Sequence, residues 1–315
     1  MSTATTPAGS TAGSSTGSSA APARRASRPA ARNAAESRRR DRARSGTKGS
    51  AWALTLLAWV LTVMFFVPVA WMVLTSFHSE VDAATNPPSV FAPLTIDQYA
   101  LLGERGLVGP MLNSAMASGF STLFVLALAI PAAYALTINR VEKWKDVMSF
   151  FLSTKMLPLI AALLPIYLIV QRLGMLDNIW ALVVLYTSMN LPIAVWMMRS
   201  FLQEVPREII EAAQVDGAKL FTILFRIIGP VAVPGIAATA LICFIFSWNE
   251  FLFALNLTAT QAGTAPVFLV GFISNEGLFL ARLCAASVVV SLPVVIAGFA
   301  AQDKLVQGLS LGAVK

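Results

Sequence analysis

The sequence predicts an all-α protein, a polytopic membrane helical bundle with six transmembrane helices and a two-helix loop on its cytoplasmic side. Three observations predict it. Of the 315 residues, 57% are hydrophobic and only 12% are charged, which is more apolar surface than a soluble domain of this size can bury. Apolar stretches of at least about 18 residues with at most one charge recur at roughly 52–75, 113–137, 147–170, 178–198, 233–256 and 283–302. Runs such as LTLLAWVLTVMFFVPVAWMVL lack the strict alternation over about ten residues that transmembrane strands require.

Residues 1–50 read as a disordered basic cytoplasmic tail. They are mostly Ser, Thr, Ala, Gly, Pro and Arg, a composition that cannot offset the entropy of ordering. Ten basic residues lie between Arg24 and Lys48, but no folded domain or aromatic platform accompanies them, so a nucleic-acid partner is not expected. Basic residues before a first span hold that end inside and touch anionic lipid. The apolar run that follows, about 24 residues, is too long for a signal-peptide core and reads as a span.

An even number of spans puts both termini in the cytoplasm, and the remaining basic residues agree. Nineteen fall on the inner side, among them Arg140, Lys143, Lys145, Arg199, Arg207, Lys219, Arg226, Lys304 and Lys315. Only Arg105, Arg172 and Arg282 fall outside, and Lys155 lies within the third span. This asymmetry is the usual one for a plasma-membrane protein. Residues 51–315 form one membrane domain, with a long outer segment at about 76–112 and a long inner loop at about 204–232.

Neither cysteine, Cys243 or Cys284, has a metal-binding spacing, so both read as small core residues. His78, the single histidine, stands near Glu80 and Asp82 and is expected in a solvated loop. No metal site is expected.

The inner loop carries the most specific signal. In FLQEVPREIIEAAQVDGAKLFTILFRIIGPVAVPGI, Pro206 suits a first helical turn, and Glu208 and Glu211 favour the positive end of the helix dipole. The helix is expected to reach Val215 and stop at Asp216-Gly217. A second short helix follows, with Phe221, Leu224 and Phe225 on one face. Ala212 and Ala213 keep the first helix flat enough for another protein to approach closely, and Glu211 and Asp216 supply charges to pair with it.

The run Glu211-Ala212-Ala213, three residues, Gly217, nine residues, Ile227, two residues, Pro230 resembles the EAA motif of the inner-membrane permease subunits of ABC-type importers. Gly229 stands where that family usually has Leu. The segments STKMLP (153–158), NLPIAVWMMRSF (190–201), SWNEFLFAL (247–255) and AAQDKLVQGLSLGAVK (300–315) look like the second permease of the carbohydrate-importing branch, the maltose, trehalose and polyol type. The likeness covers the chain from about residue 50 to its end and is closest to the polyol permeases. It implies that Glu211, Ala212, Ala213, Asp216, Gly217, Phe221 and Pro230 couple to an ATPase. It also implies a second permease subunit, two ATP-binding subunits and an extracytoplasmic solute-binding protein as partners. The chain itself has no stretch fitting GxxxxGK[ST], and SGTKGS at 45–50 lacks the glycine spacing. No cofactor is expected on it; ATP and Mg belong to the partner.

Ionisable and polar groups within spans are the candidate pathway: Lys155, Tyr186, Asn190, Trp248, Asn249 and Glu250. Amides, hydroxyls and an aromatic face with so little charge suit a neutral sugar or polyol. For Lys155 and Glu250 a structural role, through snorkelling or an interhelical hydrogen bond, is the competing reading. Pro131, Pro158, Pro165 and Pro192 free carbonyls within their spans, which either line a cavity or kink the bundle for packing. The alternatives are an ABC permease for a non-carbohydrate solute or an ion-gradient-driven secondary transporter. The second would need paired interrupted helices and a coupling carboxylate, for which Glu250 alone is a thin candidate.

Overall fold

The computed structural model describes the backbone of residues 28–85, 89–138, 141–156, 158–274 and 277–313, and the side chains of 52–85, 89–138, 141–156, 158–273 and 279–302. Residues 1–27, Arg140 and Lys315 lie outside the described residues. The chain divides into two compact units, 1–66 and 67–315.

The helices in chain order are α1 (Arg28–Thr75), α2 (Glu80–Ala83), α3 (Asp97–Glu104), α4 (Val108–Thr137), α5 (Trp144–Lys155), α6 (Leu159–Arg172), α7 (Ile179–Leu202) and α8 (Arg207–Val215). After these come α9 (Leu220–Thr222), a π-helical stretch at Ile223–Ile228, α10 (Gly229–Trp248), α11 (Leu252–Leu257), α12 (Ala265–Val270) and α13 (Leu280–Ala313). The β-structure among the described residues is one two-residue antiparallel pairing, β1 (Ile273–Ser274) with β2 (Gly277–Leu278). The fold is an all-α membrane bundle.

In the first unit, helical backbone begins at Arg28, within the stretch whose composition predicts no order. Ala and Arg, its commonest residues there, are strong helix formers and extend the span that follows. The span residues Trp52–Phe66 are exposed throughout.

The second unit packs around α4, α7 and α10. Small residues recur along α4 at Ser114, Ala117, Ser118, Ser121, Ala129 and Ala133, all buried, and α10 buries Ala232, Gly235, Ala238 and Thr239. Such rows let helix backbones approach closely where no hydrophobic effect drives association. At Gly235 the approach is closest: a Cβ there would lie 2.4 Å from Cγ and 2.7 Å from Cβ of Phe201.

Among the described residues, five helices are long and apolar enough to span a membrane, and α5 with α6 make a sixth only as a pair bent by 87°. The expected uninterrupted span at 147–170 is therefore broken. Pro158, at the head of α6, has no N–H with which to continue the hydrogen-bond ladder of α5. The expected span at 233–256 also differs, because helix runs unbroken from Leu220 to Trp248 and a separate α11 follows.

The inner loop differs in its second half. The first helix, α8, ends where expected, but no separate second helix follows. Leu220 onward passes through the π stretch directly into α10. Pro230 and Pro234 cannot donate to the carbonyls one turn earlier, and a π turn re-routes the ladder locally. Gly229 fits this turn, since a Cβ there would lie 3.1 Å from the Leu224 carbonyl oxygen. The expected common face of Phe221, Leu224 and Phe225 is consequently split: Leu224 is buried, while the two Phe rings stack on each other in solvent, 6.2 Å apart and 2° from parallel.

His78 is buried, not solvated, and its Nε2 has no hydrogen-bond partner among the described residues. The chain turns back there through an N–H bond to the Thr75 carbonyl at 3.0 Å, which tucks the ring under the outer segment.

Overpacking a well-filled site costs about 1–3 kcal/mol, so Gly235→Val is expected to lower the thermal denaturation midpoint of the detergent-purified complex. An unchanged midpoint would contradict the tight α7–α10 contact.

Candidate functional site

Two regions gather the residues singled out from the sequence: the loop around α8 and a polar seam between α7 and α10. The α8 helix is amphipathic. It buries Ile210 and Ala213 against the ends of α4, α7 and α10 in one apolar cluster. Glu211, Ala212 and Asp216 face outward. Its end is a Schellman turn, in which Ala218 N donates to the Ala213 carbonyl at 2.9 Å and Gly217 N to the Gln214 carbonyl at 3.0 Å. Gly217 has φ 74°, and a Cβ at that position would meet nothing within 4 Å. Glycine is required there by the left-handed backbone, not by packing within this chain.

Around this turn an apolar surface stands in solvent: Val215 is 88%, Phe221 73% and Phe225 69% exposed. Pro230 is exposed one turn into the span. These apolar side chains and the outward-facing Glu211, Ala212 and Asp216 of α8 are all exposed. Exposed patches of that kind mark protein contacts.

The α7–α10 seam brings together only some of the candidate pathway residues. Asn190 is buried and its Nδ2 donates to Ser247 Oγ at 2.9 Å. Ser121 Oγ of α4 donates to the same oxygen at 3.0 Å. Three helices thus share one hydrogen-bonded node, which the sequence reading missed because Ser121 and Ser247 look like small packing residues. Tyr186 lies one turn before Asn190, fully buried, with its hydroxyl unbonded among the described residues and in the field of the Glu250 carboxylate.

Glu250 is buried as a cap. Its two carboxylate oxygens accept from the N–H groups of Phe253 at 2.9 Å and Ala254 at 3.1 Å, starting α11 where the span breaks. Trp248 points elsewhere, donating from Nε1 to the Val290 carbonyl of α13 at 3.1 Å. Asn249 is exposed and donates to its own helix at Ile245. Lys155 ends α5, where a cation favours the helix dipole. It lines a separate cleft of about 250 Å³ with Leu159, Ser188, Pro192 and Phe253. No carboxylate lies within ion-pair distance of it among the described residues.

On the face opposite α8 the structure shows residues that the sequence did not signal. Glu80, in the long outer segment, accepts from the first N–H groups of α13, Ala281 at 3.1 Å and Arg282 at 3.0 Å. It also pairs with the Arg282 guanidinium at 3.5 Å. Asp177 sits in the turn between α6 and α7 and accepts from four consecutive N–H groups, those of Ala259 to Ala262. Burial pushes its carboxyl up, but these four donors more than offset that and hold it well below the usual carboxylate range. Its position after Gly174 in a short turn is the one hint that sequence offers; its partners lie more than 80 residues away.

The described residues thus form a helical membrane bundle with charged and apolar side chains exposed around the α8 turn. Residues 125–310 match the family of binding-protein-dependent transport system inner membrane components, and the chain belongs to that family. It is an inner-membrane permease, not an enzyme, and the family implies an ATPase and a binding protein as partners.

The chain is 38% identical to the probable ABC transporter permease protein y4oR of Sinorhizobium fredii, over 83% of this chain and 94% of that one. It is 31% identical to the trehalose/maltose transport system permease protein MalG of Thermococcus litoralis, over 81% and 94%. A bacterial ABC transporter that imports the acidic polysaccharide alginate has the same fold, with a TM-score of 0.67 at 21% identity over 80% and 94% of the two chains.

A carboxylate whose folded-state pKa is depressed contributes stability that is fully present above its unfolded value, about 3.9, and is lost as pH falls through the folded one. Hydrogen exchange at the amides of residues 259–262, corrected for intrinsic rate, is therefore expected to stay slow from pH 7 to about pH 4. Accelerated exchange within that window would contradict the Asp177 contacts.

Proposed function

We propose that this chain is one of two permease halves of an ATP-driven importer for a sugar or polyol, with both termini in the cytoplasm, two ATP-binding subunits beneath the pair and α8 docking on one of them. The observation that carries the coupling role is the α8 turn, where Gly217 holds a left-handed backbone beside Val215, Phe221 and Phe225 in solvent. Burying each of those side chains in a partner contributes about 1.5–3 kcal/mol. Glu211 and Asp216 stand at the rim of that surface as ion-pair partners, and Ala212 leaves room for close approach. ATP and Mg act in the partner; this chain supplies the mechanical contact.

The carbohydrate class is supported by the relatives. Besides the trehalose/maltose permease, they include the sulfoquinovosyl glycerol permease SmoH of Agrobacterium fabrum and the melibiose/raffinose/stachyose permease MelC of Bacillus subtilis. The pathway residues support it less directly. Asn190 is buried in the seam and Tyr186 in the cluster that α7 shares with α4, α6 and α11, so on this reading they reach solute only when those helices part. Lys155 lines an open cleft in the present arrangement. On this orientation the basic residues from Arg28 to Lys48, in the first part of α1, face the inner leaflet and its anionic lipid.

The test is uptake and ATP hydrolysis in liposomes by this chain assembled with its partner permease and ATPase. Binding proteins loaded with mannitol, sorbitol, trehalose or maltose are added in turn. Stimulation by one loaded binding protein, with uptake following ATP and not an imposed proton gradient, is the expected result. Gly217→Asp is expected to abolish uptake while the membrane bundle remains intact. Full uptake by that variant would overturn the coupling role, and gradient-driven uptake would overturn the class.

A further inference from the structure

The segment Thr258–Gly263, between α11 and α12 on the face opposite α8, lies outside any helix or strand, yet four of its N–H groups and two of its carbonyls are held by two side chains. Asp177 accepts from the N–H groups of Ala259, Thr260, Gln261 and Ala262 at 2.9, 3.0, 3.0 and 2.9 Å. The Thr260 hydroxyl donates to the same carboxylate at 3.2 Å. From the other side Asn113 of α4 donates through Nδ2 to the carbonyls of Gln261 at 2.8 Å and Gly263 at 2.9 Å. The Asp177 N–H completes the clasp by donating to the Leu257 carbonyl at 2.8 Å.

Successive amides curved around one anion form a concave nest, and here the chain fills its own nest. Asp177 reaches it from a left-handed backbone, φ 54°, which Asp and Asn tolerate better than other side chains. The next residue, Asn178, caps α7 by accepting from Trp180 N at 2.9 Å. The clasp therefore sits at the root of α7, whose far end leads within four residues to α8. Ala259, Thr260 and Gln261 remain exposed on the outer surface of the clasped segment. They form a surface whose shape is set before anything binds, and preorganisation of that kind lowers the cost of binding.

We propose that Asp177 is a positioning residue that holds Thr258–Gly263 as a preshaped contact for the extracytoplasmic binding protein and ties that contact to α7. This rests on the orientation given under Proposed function. Asp177→Asn keeps the left-handed backbone and one acceptor oxygen, but turns an amide NH₂ toward N–H donors. It loosens the segment without emptying the turn.

The experiment uses the complete complex in liposomes. Gln261→Cys, in a background with Cys243 and Cys284 replaced by Ser, is exposed to a membrane-impermeant maleimide from each side. ATP hydrolysis is then measured against binding-protein concentration for the wild type and Asp177→Asn. Labelling from the outside is expected. Asp177→Asn is expected to raise the half-maximal binding-protein concentration about tenfold as preorganisation is lost, with the maximal stimulated rate within about twofold of wild type. A merely structural defect would lower the maximal rate and leave the half-maximal concentration in place, and that result overturns the proposal. Outside labelling with an unshifted half-maximal concentration overturns the clasp alone. Labelling only from the inside overturns the orientation and, with it, the proposal.

Discussion

Inside a bilayer no water is available to satisfy a free backbone N–H or C=O, so a spanning chain must close its hydrogen bonds internally. Among the described residues, three departures from continuous helix close their backbone amides on a carboxylate. Where the span carrying α10 stops, Glu250 takes the first amides of α11. Where α13 begins, Glu80 takes its first amides. Where α11 gives way to a loop, Asp177 takes four amides at once. Three of the few carboxylates in the chain are thus spent on helix ends and turns. Glu250, an intramembrane carboxylate of the kind that suggests a functional role by default, caps α11 in this arrangement.

The same constraint explains the seam. Asn190, Ser121 and Ser247 satisfy one another across three helices, and side-chain hydrogen bonds of this kind in membrane proteins contribute about 0.6 kcal/mol each on average. That is enough to favour one arrangement and too little to lock it. Small residues along α4 and α10 keep the interface shallow, so the helices shift against one another without large side chains having to repack. On the proposed reading, an importer that alternates its access needs this combination of specific and weak contacts.

Much of the fold was legible because it rests on local chemistry. Apolar length marked the spans, and Pro206 and Asp216-Gly217 bracketed α8, whereas Pro158 suggested no more than a kink in a span that is in fact broken. The places where reading failed involve competition between neighbouring signals or partners distant in sequence. The apolar pattern through Phe221, Leu224 and Phe225 suggested a separate amphipathic helix. Pro230, Gly229 and Pro234 instead favour a π turn that joins it to α10, and no periodicity count registers a missing N–H one turn away. Glu250 was visible as a polar residue in a span, but its capping role depends on the chain bending at Asn249–Phe251. Asp177 and Asn113 could not have been paired with residues 258–263, since nothing in their local sequence encodes a contact across more than 80 residues.

The α7 helix connects these features mechanically. Its 24 residues span roughly 36 Å at about 1.5 Å per residue, with the Asp177 clasp at one end and α8 just beyond the other. A helix is stiff along its axis because each turn is tied to the next, so small displacements at the outer turn reach the inner one largely undiminished. The exception is Pro192, which cannot donate to the Ser188 carbonyl. Ser188 and Pro192 both line the Lys155 cleft, while Asn190 between them holds the seam. The one compliant point of α7 therefore lies where the helix borders open space on one side and a hydrogen-bonded node on the other. On the proposed reading, motion imposed at the outer clasp and at α8 converges on that point. It is resolved by parting Asn190 from Ser247, which exposes the polar side chains that the resting seam conceals.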